Sequence, residues 1–565
     1  MHYHISYTNP LTHLVDIEIS LPATNSISTI LQLPAWRPGR YELQNYAANI
    51  KHFSASDQAG NSFSFSKITR NQWKIDHPAN TLLKVRYQYY AYQMDAGGCW
   101  LDELQLYLNF ICCLMYEPSR INEPCAVTLA LPAEYQIACG LPKEEHQLKA
   151  ENFYHLADSP MIASAGLTHF SFAVEDIPFH IWIQGTNFVK EEKLLEDFSK
   201  YTTEQIRTMG DFPEKEYHYL FQFLPYRHYH GVEHRNSTVI TLGPSEAIPE
   251  KGYADLVGIS SHELFHAWNI LKIRPAEMFP YDFTKENYFT TGFVAEGFTT
   301  YYGDLFLARA GVFSTEEYFA ELNTSFKRHF EHFGNENLSL AESSQDLWVD
   351  GYVAGIPDRK VSIYVKGCIA ALILDLEIRS KTNSAQSLDD LMRLLWNNYG
   401  KTKTGYTMES IIRDTATIAC SDMTDFFQEC IFGHTDLKIR LETALASIGC
   451  KLVEKPAGSI TEKEFGFRTQ VRGNRTIVEA IAPGSPASHV LSKDDEILTM
   501  DEIPSSGNID QLLLRLSINR WGRVLEVEMT GEKEKRYYPS YTIEKDPHAS
   551  EQVQKAFEQW LQKAF

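Results

Sequence analysis

The stretch SHELFHAWN (residues 261–269) places two histidines four residues apart, with a glutamate directly after the first. On an α-helix, His262 and His266 project from one face, so both imidazoles can reach a single metal ion. Glu263 is rotated about 100° from His262, where it can act as a general base on a metal-bound water without being a ligand. The motif therefore predicts a zinc site with its catalytic base. The alternative is a pair of core histidines that hydrogen-bond to the backbone.

A catalytic zinc ion needs a third protein ligand and one open position. The sequence does not continue as HExxHxxGxxH, because Asn and Lys stand where the glycine and the third histidine would be, and this excludes a metzincin. Glu286 in TKENYF and Glu296 in FVAEGFTTYYGDL are the candidates, and their distance along the chain does not choose between them. Gly292 interrupts any helix begun at Glu286, whereas a new amphipathic run starts at Phe293. This pattern favours Glu296, in the first turns of a long helix.

The composition predicts several folded domains with no affinity for polyanions. A chain of 565 residues is too long for one hydrophobic core, and 44% hydrophobic residues argue against disorder. The 52 Lys and Arg against 73 Asp and Glu give a net charge of −21, so we expect neither nucleic acid nor membrane as a partner.

The nine cysteines follow no CxxC spacing and predict buried free thiols in a reducing compartment. Because no signal-peptide pattern is visible, we expect a cytoplasmic protein, or a periplasmic one if a signal was removed.

The succession of β-rich and helical segments predicts a multi-domain α+β protein. β-rich runs between Pro, Asn and Gly turns predict an N-terminal β-sandwich over residues 1–172. A helical period then predicts a mainly helical catalytic domain over 173–455. The linker-like EKPAGS introduces a small β-rich domain over 456–545, and 546–565 is expected to be an amphipathic helix that packs onto the protein. Within the catalytic domain, helices are expected around 190–209, 252–273, 293–310, 315–331 and 364–380.

Several motifs together resemble the M61 family of zinc aminopeptidases, the glycyl aminopeptidase group of the gluzincin clan. They are HGVEHRNST (230–238), HELFHAWN (262–269), AEGFTTYYGDLFLARAG (295–311) and IYVKGCIAALILDLEIR (363–379). In addition, AWRPGRYELQNYAANI (35–50) is similar to the Trp-x-Pro-Gly signature of the family's N-terminal β-domain. The resemblance covers most of the chain. It implies a thermolysin-like catalytic domain with one zinc ion per chain, which removes a small first residue, Gly or Ala, from peptides with a free N-terminus.

The resemblance also assigns roles to the residues of the motifs. It implies that His262, His266 and Glu296 are the zinc ligands and that Glu263 is the base for a metal-activated water. The hydroxyl of Tyr364 in IYVKG is expected to donate to the developing oxyanion, unless Tyr364 is an ordinary core aromatic. Amide hydrolysis would then proceed without a covalent intermediate.

The motif HGVEH predicts the group that recognises the substrate. In the related M1 aminopeptidases the glutamate of a GxMEN strand binds the substrate's α-amine, and the matching residue here is Glu233. A carboxylate at hydrogen-bonding distance from an ammonium group would restrict cleavage to the first residue. Gly231, Val232 and His234 are assigned to substrate binding with it, and Val232 stands at a position that is more often Met or Leu. The alternative for Glu233 is an ordinary acid on an edge strand.

The segment from about 460 to 545 resembles a PDZ domain. FGF (465–467) matches the carboxylate-binding turn, and APGSPASHV with DDEILTMDEIP matches the usual PGSPA and GDEI run, although Asp494 stands where glycine is usual. A PDZ groove implies a C-terminal peptide as a partner, bound by strand addition. The alternative is a module that only packs against the catalytic domain.

Two other functions compete with the aminopeptidase. One is a thermolysin-like endopeptidase, which shares HExxH but does not recognise the amine, and for which Glu286 would be the ligand. The other is a catalytically silent scaffold in which the PDZ-like module binds peptides. All the candidate catalytic positions carry competent residue types, so the zinc aminopeptidase is the main prediction.

Overall fold

The computed structural model describes residues 1–353, 355–504, 512–532 and 536–565. The chain forms two compact units. Unit 1 comprises Met1–Ser314, Ser344–Ala354 and Leu388–Ile418, and unit 2 comprises Thr315–Ser343, Gly355–Ser387 and Ala419–Phe565. The domain boundaries inferred from the sequence, at 172, 455 and 545, stay predictions.

Unit 1 begins with a β-rich region, as predicted. Its strands build sheets of order β12-β13-β10-β1-β2-β7-β4, β11-β14-β9-β8, β3-β6-β5 and β15-β16-β17-β19-β18. Strands β2 and β7 bury every second residue, as expected for a sheet with one face on a core. In chain order the strands are β1 His2–Ser6, β2 Leu14–Leu21, β3 Ser28–Gln32, β4 Ile50–Ser56, β5 Phe65–Thr69, β6 Gln72–Asp76, β7 Leu83–Tyr90, β8 Cys99–Leu101, β9 Gln105–Leu108, β10 Cys125–Leu129, β11 Gln136–Cys139, β12 Lys143–Glu144, β13 Gln147–Ala150, β14 Met161–Ser164, β15 Thr168–Val174, β16 Ile177–Gln184, β17 Tyr217–Phe223, β18 His228–His234 and β19 Ser237–Gly243.

The helices dominate the middle of the chain, which confirms the predicted helical region. Those of unit 1 include α1–α5, α8 and α10, and those of unit 2 include α6, α9 and α12–α14. In chain order the helices are α1 Phe110–Cys113, α2 Phe153–Ala157, α3 Glu191–Met209, α4 Tyr253–Phe265, α5 Thr299–Arg309, α6 Thr315–Phe330, α7 Leu340–Gln345, α8 Leu347–Asp350, α9 Val365–Thr382, α10 Leu388–Leu395, α11 Met408–Ala419, α12 Thr424–Phe426, α13 Lys438–Ala446 and α14 Glu551–Leu561.

Helix α4 is shorter than the helix predicted over 252–273. It ends at Phe265, and His266 follows as its C-cap with helical backbone angles. The chain then turns, and Ile270 has a φ of 77°, which a right-handed helix does not allow. The two histidines therefore occupy the last turn of the helix, next to the segment that leaves it.

The five-stranded sheet β15-β16-β17-β19-β18 carries the site on one of its faces. Strand β17 is buried along its whole length, because both faces of the sheet are covered. Helix α4 packs against β18 and β19 on one face. On the other face, Leu220, Val232 and Val239 form a core with residues of the four-stranded sheet, namely Tyr107, Ala138 and Ile162.

Helix α5 lies against α4 and is preceded by a π-helical segment, Phe293–Phe298. Gly303 allows this close approach, since a Cβ there would lie only 3.1 Å from Cβ of His262. The side-chain amide of Asn269 donates to the carbonyls of Val294 and Ala295, at 2.7 and 3.2 Å. Asn269 thereby satisfies backbone groups in the irregular segment that contains Glu296.

Unit 2 contains C-terminal β-sheets, as predicted. Strands β21-β22-β23-β24-β25 form one antiparallel sheet and β20 pairs with β26. The PDZ assignment of this region and the thermolysin-like assignment of the helical region stay predictions. The strands are β20 Cys450–Lys455, β21 Phe467–Arg472, β22 Arg475–Ile481, β23 Glu496–Pro504, β24 Leu512–Arg520, β25 Arg523–Thr530 and β26 Ser540–Lys545.

Helix α14 packs onto unit 2 by its apolar face. Phe557, Trp560 and Leu561 are fully buried, and the rings of Trp560 and Tyr318 lie 5.8 Å apart. Across the described ranges, all cysteines are free thiols, and all but Cys420 are buried. Among the helices that the structure describes, none has the length and apolar character needed to cross a membrane.

Candidate active site

The side chains of His262, His266 and Glu296 converge in unit 1. One ligand-type atom from each lies within 4.8 Å of the others. Nε2 of His266 is 3.0 Å from Nε2 of His262 and 3.4 Å from Oε2 of Glu296. Ligand atoms at about 2.0–2.1 Å from a tetrahedral zinc ion are about 3.3 Å from one another, so these separations fit such an ion. The three residues predicted as zinc ligands are thus brought together, and zinc binding itself stays a prediction.

The orientation of His266 also suits a metal ligand. Its Nδ1 lies 3.0 Å from the carbonyl oxygen of Asn269. A carbonyl can only accept, so Nδ1 carries a proton, and Nε2, which faces His262 and Glu296, is the ring nitrogen left to bind a metal. This arrangement, in which the second ring nitrogen donates to a backbone carbonyl, is common among metal-binding histidines. The sequence analysis used Asn269 only to exclude the metzincin pattern and missed this contact.

Tyr41 is a second residue that the sequence analysis did not single out. Its hydroxyl donates to Oε1 of Glu296 at 3.3 Å, and its side chain is 1% exposed. Tyr41 lies in AWRPGRYELQNYAANI, the quoted N-terminal signature, but nothing in that stretch shows that it reaches a carboxylate 255 residues further along the chain. The hydroxyl leaves Oε2 of Glu296 to face His266.

We expect Tyr41→Phe to weaken zinc binding by about 10- to 100-fold, because groups that orient a metal ligand contribute this much to metal affinity. The measurement is a competition titration of the purified protein with a chelator. Tyr92→Phe, at an exposed tyrosine of unit 1, is the matched control. An unchanged zinc affinity in Tyr41→Phe would show that the hydroxyl does not orient Glu296.

Glu263 is buried next to strand β18. It is 5% exposed, and among the described residues its Oε2 has no hydrogen-bond partner. Gly231 lies directly against its carboxylate, since a Cβ at that position would overlap with Oε1 of Glu263. The lack of a side chain at Gly231 therefore makes room for the carboxylate predicted to be the base.

We expect Gly231→Ala to lower kcat by about 10- to 100-fold with little loss of stability. The added methyl group meets the ends of two flexible side chains, the carboxylate of Glu263 and Cδ1 of Ile259, so these are displaced while the strand stays in place. A displacement of about 1 Å can cost a factor of 100 in rate. Steady-state hydrolysis and thermal unfolding are the measurements. Gly458→Ala is the control, because a Cβ there meets no atom within 4 Å. Equal kcat values for the two variants would contradict the proposed role of Gly231.

Glu233 projects from β18 towards the same cluster. It is 5% exposed, its Oε1 has no partner among the described residues, and ligand-type atoms of Glu233, Glu263 and His266 lie within 4.8 Å of one another. A Cβ on Gly39 would lie 2.5 Å from Oε2 of Glu233, and Gly39 has a φ of +75°. Both the space and the backbone conformation therefore require glycine at this position.

Strand alternation separates the residues of HGVEH into two faces. Gly231 and Glu233 face helix α4, whereas Val232 is part of the core on the opposite side of the sheet. His234 is also on that side, and its Nδ1 lies 3.0 Å from Oδ1 of Asp158. The side chains of Val232 and His234 therefore point away from the cluster, and a role of this part of the strand in substrate binding stays a prediction.

Two candidates from the sequence analysis remain, Glu286 and Tyr364. Glu286 is half-buried and takes no part in the metal-type clusters that the described residues form. Tyr364 immediately precedes α9 and belongs to unit 2, and its role in catalysis stays a prediction.

The electrostatics of the cluster are dominated by three buried carboxylates. Burial raises the pKa of Glu233 to about 7, with a further contribution from Glu296, while His266 opposes the shift. Burial likewise raises the pKa of Glu263 well above its usual value. Burial alone would lower the pKa of His266, but the carboxylates of Glu233, Glu296 and Glu263 outweigh it and raise that pKa to about 10. Buried carboxylates are stabilised by paired positive charges, so this cluster favours a cation-binding site.

Comparisons with known proteins give two family matches and several similar solved structures. The family model described as Peptidase M61 N-terminal domain matches residues 2–165, and the one described as M61 glycyl aminopeptidase matches residues 255–370. Among solved structures, an aminopeptidase N family protein from Idiomarina loihiensis is similar over 99% of both chains, with 23% identity and a TM-score of 0.90. An M1 zinc metallopeptidase from Deinococcus radiodurans is similar over 77% of this chain and 94% of that chain, with 14% identity and a TM-score of 0.48. The comparison with curated proteins gives no match.

The likeness to the Idiomarina protein shows a common fold over the whole chain. The two family matches include Gly39 and Tyr41 in the first segment, and the HExxH motif with Glu296 in the second. These are the residues that meet at the candidate active site. The chain therefore matches the M61 peptidase family in the two segments that bring these residues together.

Proposed function

We propose that the protein is a zinc-dependent aminopeptidase that removes the first residue, preferably Gly or Ala, from peptides with a free N-terminus. The match to the M61 family supports peptide hydrolysis, and the description of its catalytic model as a glycyl aminopeptidase supports the small first residue. The observation that carries the proposal is the buried carboxylate of Glu233, whose Oε1 is unpartnered among the described residues and lies beside Glu263 and His266.

His262, His266 and Glu296 would hold the zinc ion, because their donor atoms are spaced as its ligands require. A zinc ion held there would act as a Lewis acid that polarises the scissile carbonyl and lowers the pKa of water. Tyr41 and the carbonyl of Asn269 keep Glu296 and His266 in the orientation that binding needs.

Glu263 would move the proton during hydrolysis. Its Oε2 accepts a proton from the attacking water and then returns it to the nitrogen of the leaving amine. Burial favours the protonated form of the carboxyl group between these two transfers. Gly231 keeps the carboxylate free of side-chain obstruction on the strand side.

The charges of the buried cluster support an amine-containing substrate. Glu233, Glu263 and Glu296 carry three negative charges when ionised. A divalent zinc ion and a monovalent α-ammonium group together balance them, and buried carboxylates are stabilised by such pairing. Glu233 is the carboxylate left for the ammonium group, since Glu296 faces the histidines. The first peptide bond of the substrate then lies next to Glu263.

We expect Glu233→Gln to lower kcat/KM for Gly- and Ala-arylamides by about 10- to 150-fold, which corresponds to a charge-assisted hydrogen bond of about 1.5–3 kcal/mol. Gln keeps the shape of the side chain but removes the charge that pairs with the ammonium group. The measurement is steady-state hydrolysis of Gly-, Ala- and Leu-arylamides. Glu246→Gln, at an exposed acid in unit 1, is the matched control.

The same assay separates the aminopeptidase from the endopeptidase alternative. An aminopeptidase cleaves none of the N-acetylated forms of these peptides, because a blocked nitrogen carries no charge for Glu233 to bind. Cleavage of N-acetylated peptides at rates similar to those of free peptides would contradict the proposal. A preference for Leu over Gly and Ala would contradict its small-residue part alone.

A further inference from the structure

A small cavity in unit 2 lies where the end of helix α6 meets the start of α9. Its volume is about 120 Å³, and none of its lining residues belongs to the cluster formed by His262, His266 and Glu296. Most of its polar lining consists of hydrogen-bond donors or of groups that can donate. The residues that line it are Arg328, His329, His332, Asn335, Val361, Ser362, Val365 and Lys366.

Lys366 is the buried cation of this cavity. It is 1% exposed, and its Nζ donates to Oδ1 of Asn335 at 2.7 Å. Among the described residues, no carboxylate lies within ion-pair distance of this ammonium group, although Asp436 attracts it from further away. Burial lowers the pKa of Lys366 to about 8, so the group is still mainly charged at neutral pH. A buried charge with only a neutral amide as partner lacks the compensation that such groups normally have.

Two further residues of α6 can add donors, His329 in the tautomer that carries its proton on Nε2, and Arg328 through its guanidinium group. His329 is 4% exposed, and its buried Nε2 has no hydrogen-bond partner among the described residues. Arg328 is exposed next to it and forms no ion pair with the described residues. His332, in contrast, is already engaged, because its Nε2 lies 3.3 Å from Oδ1 of Asp358 and its Nδ1 accepts from the backbone of Gly334. The carboxylate of Asp358 is thus turned to His332.

The start of helix α9 also lines the cavity, through Ser362, Val365 and Lys366. Ser362 lies three residues before this helix's first residue, and its hydroxyl oxygen accepts from the backbone N–H of Val365 at 3.2 Å. A helix N-terminus carries a partial positive charge, which adds to the field of Lys366 and Arg328. In the motif IYVKG, Tyr364 has a predicted catalytic role, whereas Lys366 takes no part in the proposed hydrolysis.

We propose that this cavity binds a small tetrahedral oxyanion, of which inorganic phosphate is the type. Such an ion offers only acceptor oxygens, which match Lys366, His329 and Arg328, and its negative charge compensates the buried ammonium group. The cavity volume of about 120 Å³ is several times the roughly 30 Å³ that one water molecule takes in the liquid, so the cavity has room for a small ion. Binding would stabilise unit 2 by joining α6 to α9 through one shared ligand.

Isothermal titration of the intact, zinc-loaded protein with inorganic phosphate tests this proposal, with chloride at equal ionic strength as the reference. We expect saturable binding to the wild type and a rise of the unfolding temperature with phosphate concentration. Arg328→Ala should weaken binding at least about 10-fold, because it removes a charge-assisted hydrogen bond from an exposed position without disturbing the core. Lys366→Met should abolish binding, and if it does not fold, Arg328→Ala still decides the question.

Lys381→Ala is the matched control, because Lys381 is exposed near the other end of the same helix. Equal phosphate affinity in wild type, Lys381→Ala and Arg328→Ala would overturn the proposal, and would locate any binding elsewhere, for example at the zinc ion. The absence of saturable binding to the wild type would overturn it as well. Sodium acetate is titrated in parallel. If acetate bound as tightly as phosphate, the cavity would be a site for carboxylates, and the assignment to a tetrahedral oxyanion would be wrong.

Discussion

Replacing Glu263 by Gln is expected to lower kcat about 1,000-fold while the protein still holds one zinc ion. Gln has nearly the same shape, but its amide cannot accept the proton of the attacking water, and general acid–base catalysis contributes about 10²- to 10⁴-fold to rates. The variant should retain its metal because Glu263 is not part of the group formed by His262, His266 and Glu296. Turnover of a Gly-arylamide and metal analysis of the same preparation are the two measurements.

Glu286→Gln is the control for this experiment. Glu286 is a half-buried acid of the same chain segment, outside the clusters of the described residues, and its replacement should leave kcat unchanged. If Glu263→Gln kept both zinc and full activity, Glu263 would not be the base. If it lost zinc, the carboxylate would be a ligand or would support one.

Removing the third ligand should affect the metal itself. We expect Glu296→Gln to weaken zinc binding by more than about 100-fold, which exceeds the effect of changing an outer-shell group such as Tyr41. A neutral amide is a poorer ligand for a divalent cation than a carboxylate, and the variant also loses one of the negative charges that balance the ion. Chelator competition gives the affinity, and activity as a function of added zinc gives an independent value.

The alternative assignment of the third ligand makes the opposite prediction. If Glu286 were the ligand, as in the endopeptidase hypothesis, Glu286→Gln would lose zinc and Glu296→Gln would keep it. The separation of 3.4 Å between Glu296 and His266 leads us to expect the reverse. Thermal unfolding of both apo-proteins should be nearly equal, which separates loss of metal from loss of fold.

The local part of the site could be predicted from the sequence. His262 and His266 are one helical turn apart, and a spacing of four residues places them on one face of any α-helix. Gly292 and the amphipathic run after it distinguished Glu296 from Glu286, because they indicate where a helix begins. The helix itself ends at Phe265, earlier than predicted. Its predicted length was too great because the apolar residues of the following turn are buried, and buried residues of a turn give the same apolar pattern as a continuing helix.

The contacts between distant segments could not be predicted in this way. Whether Val232 faces the site or the core depends on which face of the sheet α4 covers, and alternation along one strand does not show which face that is. The same limit applies to Lys366, whose neighbours in the motif predict a core helix. Its position beside Asn335 and His329 follows only from the packing of α6 on α9.

The sequence by itself determined the candidate catalytic groups of this protein: the two histidines and the glutamate of an HExxH helix, a carboxylate on the next helical segment, and a glutamate in HGVEH. These are short-range patterns, because a helical turn or a strand constrains neighbouring residues directly. The tertiary structure decided what surrounds that chemistry. Tyr41 reaches Glu296, and Gly39 makes room for Glu233, because the N-terminal signature folds back onto the catalytic helices. Hydrophobic burial drives such long-range packing without regard to separation along the chain, so no local pattern records it.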